Sequence, residues 1–197
     1  MDFNCDQGSW THFFYTLPLG DKKIFIETTW ISDQQNSTIE QNISEINEYI
    51  QKNLNYKKEY TFGYNEMGSI PMFHFQKRTD YNKVIKIGAA ANLTRKSTGY
   101  TFLNIQKFTK ELVQKLLRNQ IISNVQIKSK YNFLDKIFIK VLLEEKENMH
   151  KIFFRLFKQN NTKDIISFLS NNSNFIQDIK IILSMPKLIF IKKLLNF

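Results

Sequence analysis

Every alanine in the chain stands in one place. Ala89, Ala90 and Ala91 are consecutive, Gly88 precedes them directly, and Gly99 closes the same stretch. Against 25 Ile and 20 Asn in 197 residues, with only 3 Ala and 6 Gly, that clustering calls for a local reason. Small residues after a strand let a ligand or a second backbone come close, and free N–H groups at the next helix start can hold an anion. Thr98, Gly99 and Tyr100 sit where those N–H groups would be. A tight strand-to-helix packing contact accounts for the pattern equally well. Other reactive side chains are sparse. His12, His74 and His150 show no metal-ligand spacing, and no carboxylate cluster accompanies them. Cys5 lacks a nearby histidine and reads as a buried or idle thiol. A single cysteine excludes an intramolecular disulfide framework and a multi-cysteine zinc site.

The elements that must position these residues are legible in outline. Residues 9–17 and 22–30 are rich in aromatic and β-branched side chains, with Pro18-Leu19-Gly20-Asp21 between them, and read as a β-hairpin. In its second strand Ile24, Ile26 and Thr28 share one face, and Phe25, Glu27 and Thr29 the other. Ser37-Thr-Ile-Glu40 has the pattern of a capping box, and Ile39, Ile43, Ile46 and Ile50 follow at helical spacing, which predicts a helix over 37–54. Strands are expected at 69–76, with Pro71 marking an edge or a bulge, and at 83–87. Helical periodicity resumes at Ile105, so the alanine cluster lies between a strand and a helix. Residues 131–159, 162–170 and 174–195 read as amphipathic helices separated by Asn-rich breaks. The order predicts an α+β or α/β fold. It divides into a β-rich region with one helix (1–82), a strand–loop–helix segment (83–120) and a basic helical region (121–197).

With 28 Lys plus Arg against 18 Asp plus Glu the chain carries a formal charge of +10, and 24 of the basic residues are Lys. Residues 1–100 are balanced at 11 against 11; residues 101–197 hold 17 against 7. All the excess therefore sits on the C-terminal helices, as a surface for an anionic membrane, a nucleic acid or an acidic protein, or simply as a solvated lysine face. Nucleic-acid readers lean on Arg, and only 4 are present, so no nucleic acid is expected. No apolar run reaches the roughly 18 residues needed to span a bilayer, and the N-terminus has no secretory pattern. An intracellular protein, soluble or peripheral on a membrane, is expected.

The segment IGAAANLTRKSTGYTF resembles the C-terminal flavin-binding segment of the lycopene cyclase family. Other stretches agree in the same order: MDFNCDQ, FFYTLPLGDKKIFIETTW, YNEMGSIPM, KIFFRLF and the tail SMPKLIFIKKLLNF. The departures are Lys96 where the family usually has proline, Arg95 where it often has histidine or lysine, Asn92 for a frequent glycine, and Thr28 for the second glutamate of the plant acidic motif. No Gly-x-Gly-x-x-Gly follows a strand anywhere in the chain. The resemblance thus implies the C-terminal part of a two-domain FAD-binding flavoprotein, with the N-terminal dinucleotide-binding half missing. Three origins fit: a truncated reading of a longer gene, one part of a split gene whose other half a separate chain supplies, or a degraded remnant; the polypeptide alone would be an inactive fragment.

The resemblance further implies an isomerase-type reaction of carotenoid biosynthesis. The open ψ ends of lycopene, or of a related acyclic carotenoid, are cyclised to β-ionone rings with reduced FAD, and NADPH keeps the flavin reduced. The chemistry needs a carboxyl group in an apolar pocket, where burial disfavours ionisation and leaves a usable acid near neutral pH. Glu27 matches the family's essential acid and stands among Phe25, Ile26 and Trp30; a strand glutamate facing solvent or paired with a lysine is the plainer reading of the same residue. Asp2 is the second candidate acid. Phe13, Phe14, Tyr15 and Trp30 would line a polyene cavity and stabilise a cation through their ring faces, or serve as ordinary core. Gly88, Ala89, Thr98, Gly99 and Tyr100 would meet the flavin by backbone. The basic, apolar segment 187–197 suits the headgroup layer on the inner, cytoplasmic face of a membrane, or docking on the core. Two alternatives stand beside this reading: another flavoprotein, such as a prenyl reductase or hydroxylase, and a stand-alone basic module that binds membrane or nucleic acid.

Overall fold

The computed structural model describes residues 1–33, 37–73, 85–120 and 129–195. Among the described residues the fold is mixed α+β, with a two-stranded antiparallel sheet and seven α-helices. It resolves into two compact units. The first comprises Met1–Gly68 and Glu145–Phe154, the second Ser69–Glu144 and Arg155–Phe197.

The first unit is built on the hairpin β1 (Thr11–Gly20) and β2 (Lys23–Ile31). The strands run further toward each other than the Pro18–Asp21 signal suggests. Pro18 still pairs with Ile24, a register irregularity follows, and Gly20 pairs with Lys23, so the turn falls on Asp21 and Lys22. Gly20 takes φ +139°, a conformation open to glycine and strained for other residues. The register places His12 opposite Trp30 and Phe14 opposite Thr28 on one face, and Phe13 opposite Thr29 and Tyr15 opposite Glu27 on the other. Asp2 adds a short antiparallel bridge to Phe14.

Helix α1 (Ile39–Lys52) covers the His12 face, burying Tyr49 and Ile50. Its capping box is shifted one residue from the Ser37–Glu40 pattern: Thr38 accepts from the Gln41 backbone N–H, and the Gln41 side chain returns the bond to the Thr38 N–H. Ile39, the first residue of the expected apolar stripe, is exposed. On the opposite face Phe13 meets Phe3 at 5.5 Å between ring centroids, and Phe3 stacks on Phe153. Residues 54–68 form no regular element.

The second unit holds a 3₁₀ turn at Gly88–Ala91 and the helices α2 (Phe102–Leu117), α3 (Ser129–Glu144), α5 (Thr162–Leu169), α6 (Phe175–Ser184) and α7 (Lys187–Leu195). Helix α4 (Met149–Gln159) contributes its first six residues to the first unit and the rest to the second. Leu93, Phe108, Tyr131, Val141, Leu156 and Phe168 are among the buried side chains of the second core. Of the strand expected at 69–76, residues 69–73 form none, and the remainder, with His74, lies outside the described residues. Residues 85–87 of the strand expected at 83–87 likewise form none, and 83–84 lie outside.

The stretch 131–159 divides at the short 3₁₀ turn Lys146–Asn148, and 174–195 divides at Met185, which takes the extended conformation that a following proline, Pro186, favours. Asparagine does the work of glycine at several helix ends: Asn55, Asn92, Asn119 and Asn171 all have φ between 49° and 61°. Asn161 and Asn174 instead cap the starts of α5 and α6. Replacing Thr38 by Ala removes a cap oxygen and one half of the reciprocal box. It should cost about 1 kcal/mol in urea denaturation of the full chain, and an unchanged midpoint would show that the box does not form in solution.

Candidate functional site

Strand alternation divides the candidate acids and the candidate lining residues between two faces of the hairpin. Glu27 is exposed, and its carboxylate accepts the Thr29 hydroxyl at 2.9 Å. Beside it on that face stand Tyr15 and Leu17, each about two-fifths exposed, and Phe25. The apolar burial expected around Glu27 is therefore not supplied by the described residues. Phe13, on the same face, is buried in the core.

The other face carries Asp2, Phe14 and Trp30. Asp2 is fixed at both levels. Its backbone exchanges two hydrogen bonds with Phe14 at 2.8 and 2.9 Å, and its carboxylate accepts from the Tyr49 hydroxyl at 2.7 Å. Burial and this acidic partner push the Tyr49 phenol well above its ordinary range. Phe14 stacks on Tyr49 at 4.0 Å and is core rather than cavity wall. Asp2 and Glu27 thus face away from each other, and Phe13, Phe14, Tyr15 and Trp30 do not form one wall.

A network that no sequence motif marks lies on the Asp2 face. His12 is 4% exposed and stacks on Trp30 at 4.0 Å and 11°. Its Nδ1 meets the Asp6 carbonyl at 2.8 Å and its Nε2 the Thr28 hydroxyl at 2.8 Å. Thr28 donates to Glu45 at 2.6 Å, and the Trp30 indole N–H donates to the same carboxylate at 3.1 and 3.2 Å. Glu45 and Tyr49 reach the hairpin together because residues four apart share one helix face. Glu45, Glu48, Gln41, Ser44, Ser32, Ser37 and the two indoles of Trp10 and Trp30 surround a cleft of about 430 Å³. The available signal was a glutamate one turn before a tyrosine beside the Ile stripe of α1. Cys5 lies nearby; burial, with Asp2, Asp6 and Glu45, pushes its thiol up to about 11.

The small-residue segment belongs to the second unit. Gly88 takes φ +62° and opens the 3₁₀ turn; Asn92 closes it in the left-handed region at φ 61°, which is why a residue tolerant of that conformation stands there. Beyond it, residues 93–97 are buried around Asp135 of α3. The Asp135 carboxylate accepts from Arg95 Nε and Nη2, the Lys96 backbone N–H and the Ser97 hydroxyl, at 2.7–3.2 Å. Arg95 is fully buried, donates to the Phe168 carbonyl and lies over the Tyr131 and Phe168 rings at 4.8 and 4.5 Å. Burial pushes the Lys96 ammonium toward its neutral form, with Asp135 opposing.

Expected free N–H donors at 98–100 are not found: Thr98 and Gly99 donate to the Arg95 carbonyl, and Tyr100 donates to the Thr98 hydroxyl. The residues still fit close approach of a planar group by backbone. Ala89 and Ala90 are exposed, and a Cβ placed on Gly99 would meet nothing within 4 Å. Among the described residues no group of three or more His, Cys, Asp or Glu is placed to hold a metal, and no helix is long and apolar enough to cross a membrane. Asp135→Asn would leave the Arg95 guanidinium buried without its counter-charge. The expected loss is on the order of 3–5 kcal/mol in chemical denaturation, most of it recovered in Arg95→Met/Asp135→Leu. Equal losses in the single and double variants would show that the uncompensated charge is not the cause.

No curated protein and no solved structure matches the chain. A family model does, over residues 1–194, and its description is lycopene cyclase protein. That match takes in the hairpin with Glu27, the Asp2 bridge and the Gly88–Tyr100 segment together, and by it the chain belongs to the lycopene cyclase family, a family of carotenoid cyclases.

Proposed function

We propose that the chain takes part in acid-catalysed closure of the ψ ends of lycopene, or of a related acyclic carotenoid, to β-ionone rings. The observation that carries this reading is the family match across nearly the whole chain, with Glu27 held in the strand motif. A carboxyl group surrounded by water ionises and is a poor acid at neutral pH; one under hydrocarbon keeps its proton. Glu27 is exposed beside Tyr15, Leu17 and Phe25, and a polyene laid along those side chains would itself supply the missing apolar cover. Glu27 would then add a proton to the terminal double bond. The resulting cation is attacked by a second double bond, and a ring proton is lost, with no net redox change.

Gly88, Ala89 and Gly99 would admit a reduced FAD, kept reduced by NADPH, with Thr98 and Tyr100 bordering it. When bound, that cofactor supplies negative charge density that stabilises cationic species. The part that grips its adenine dinucleotide is proposed to lie outside these 197 residues, since no Gly-x-Gly-x-x-Gly follows a strand among them. Substrate access is proposed to come from peripheral binding at the cytoplasmic face. In support, α7 exposes Leu188, Ile191, Leu194 and Leu195 beside the exposed Lys187 and Lys192.

Two measurements test the reading. In lycopene-accumulating cells that also supply a dinucleotide-binding half, Glu27→Gln should abolish ring formation while flavin content is retained; a normal yield of cyclic product would remove Glu27 from the mechanism. In flotation, the chain should rise with anionic vesicles, and Leu188→Glu/Leu195→Glu should lower the floated fraction at least several-fold. Equal flotation of both proteins would exclude α7 as the contact.

A further inference from the structure

We propose that α6 is an in-plane anchor for an anionic phospholipid layer, with Phe175, Ile176, Ile179, Ile182 and Leu183 as its inserted surface. The sequence sets the helix sharply at both ends. The Asn174 and Gln177 side chains each accept the other's backbone N–H at its start, and Met185, extended before Pro186, ends it. At 3.6 residues per turn the five apolar side chains fall within about 120° of arc. All five are exposed, Phe175 and Ile176 to 75% and 65%. The side turned inward carries Asp178 and Ile181, both buried. Asp178 accepts from Lys130 Nζ at 2.7 Å and from the Ser173 hydroxyl. The helix thus holds its carboxylate inside and its hydrocarbon outside, the reverse of a helix face built for water.

Charge selects the occupant. Asp178 is the only acidic residue between Phe175 and Phe197. Lys180, Lys187 and Lys192 are exposed, with Lys180 at 4.0 Å from Asp164 of α5, while Lys193 is turned inward to Glu144. The exposed surface of residues 175–195 therefore offers hydrocarbon and ammonium groups and no carboxylate of its own. Headgroup phosphates take the ammonium groups, and the acyl boundary takes the apolar side chains. A second copy seated on the same surface would set lysine against lysine. A nucleic acid offers nothing to a stripe of Ile, Leu and Phe.

The ten residues of α6 span about 15 Å, half of a hydrocarbon core of about 30 Å, so the helix lies in the interface plane. The inference rests on the peripheral-membrane reading given above for α7 and deepens it. It assigns the main insertion to the unbroken stripe of α6, with α7 as a second contact. It does not depend on the cyclisation chemistry.

The test uses the full chain and vesicles of equal parts phosphatidylglycerol and phosphatidylcholine. Ile176→Glu/Leu183→Glu should lower the floated fraction at least several-fold, while its thermal unfolding midpoint stays that of the parent. Because that variant could lose its fold, a second chain carries the reading independently: Cys5→Ser/Ile179→Cys, labelled with an environment-sensitive fluorophore. Its emission should shift to the blue on vesicle addition and be quenched by nitroxides on the acyl chains. Equal flotation of Ile176→Glu/Leu183→Glu and parent overturns the proposal, as does an unchanged probe on a chain that floats. Equal flotation with pure phosphatidylcholine overturns its anionic part. If Leu188→Glu/Leu195→Glu loses flotation and Ile176→Glu/Leu183→Glu keeps it, the peripheral reading stands and the α6 anchor falls. If the parent does not float, both fall. A dimer in sedimentation that Ile176→Glu/Leu183→Glu dissolves, without flotation, would assign the stripe to a second copy instead.

Discussion

A carboxylate removed from water costs several kcal/mol unless donors replace the water, and the second unit is arranged around one such group. Asp135 is 1% exposed. Its partners come from three consecutive residues, Arg95, Lys96 and Ser97, so α3 takes its place only if the segment before α2 folds back over it. That requirement fixes the path of the chain from Leu93 to Tyr100. It also explains why the backbone N–H groups at 98 and 99 turn inward to the Arg95 carbonyl. The Arg95 side chain extends the constraint to α5 through the Phe168 carbonyl and ring. The small residues ahead of the loop have a different role. They lie outside the buried cluster, where Ala89 and Ala90 keep the surface low and accessible.

In the first unit the governing constraint is the period of a β-strand. Successive side chains point to opposite faces, so one short hairpin offers two chemically different surfaces. The face with Glu27, Tyr15 and Leu17 stays open. The face with His12, Phe14 and Trp30 lies under α1, where each polar group must find a partner. His12, Thr28, Trp30 and Glu45 satisfy one another, as do Asp2 and Tyr49. An exposed carboxylate on one face and a partnered carboxylate on the other follow from the same alternation.

Much of this was readable in the sequence, and the failures have identifiable physics. Alternating β-branched and aromatic residues gave the hairpin and its faces correctly, because register and pleat are local. The turn slipped past Pro18 and Gly20 because pairing continues wherever a glycine can absorb the irregularity. The α1 box was misplaced by one residue because Ser37-x-x-Glu40 and Thr38-x-x-Gln41 are both adequate patterns, and only the chain's entry path separates them. Pro186 divided a periodic stretch that spacing alone would have kept whole. The polar site was illegible for a different reason. His12, Thr28 and Glu45 are 16 and 17 residues apart, and the pairing exists only once α1 lies on the hairpin. Arg95 and Asp135 are 40 apart, and a lone aspartate amid apolar helix residues gives no hint of four donors converging on it.

Ring closure of this kind consumes a proton and returns one, so the group that serves it must be able to give and to receive within one turnover. An isolated carboxyl can do both only if its surroundings favour neither state strongly. On the α1 face Trp30 stacks on His12 and donates to Glu45, so the carboxylate there is already held by donors of the protein. Glu27 stands on the open face, where its carboxylate accepts the Thr29 hydroxyl. For a carboxyl group so placed to keep its proton, the hydrocarbon that covers it must arrive with the substrate.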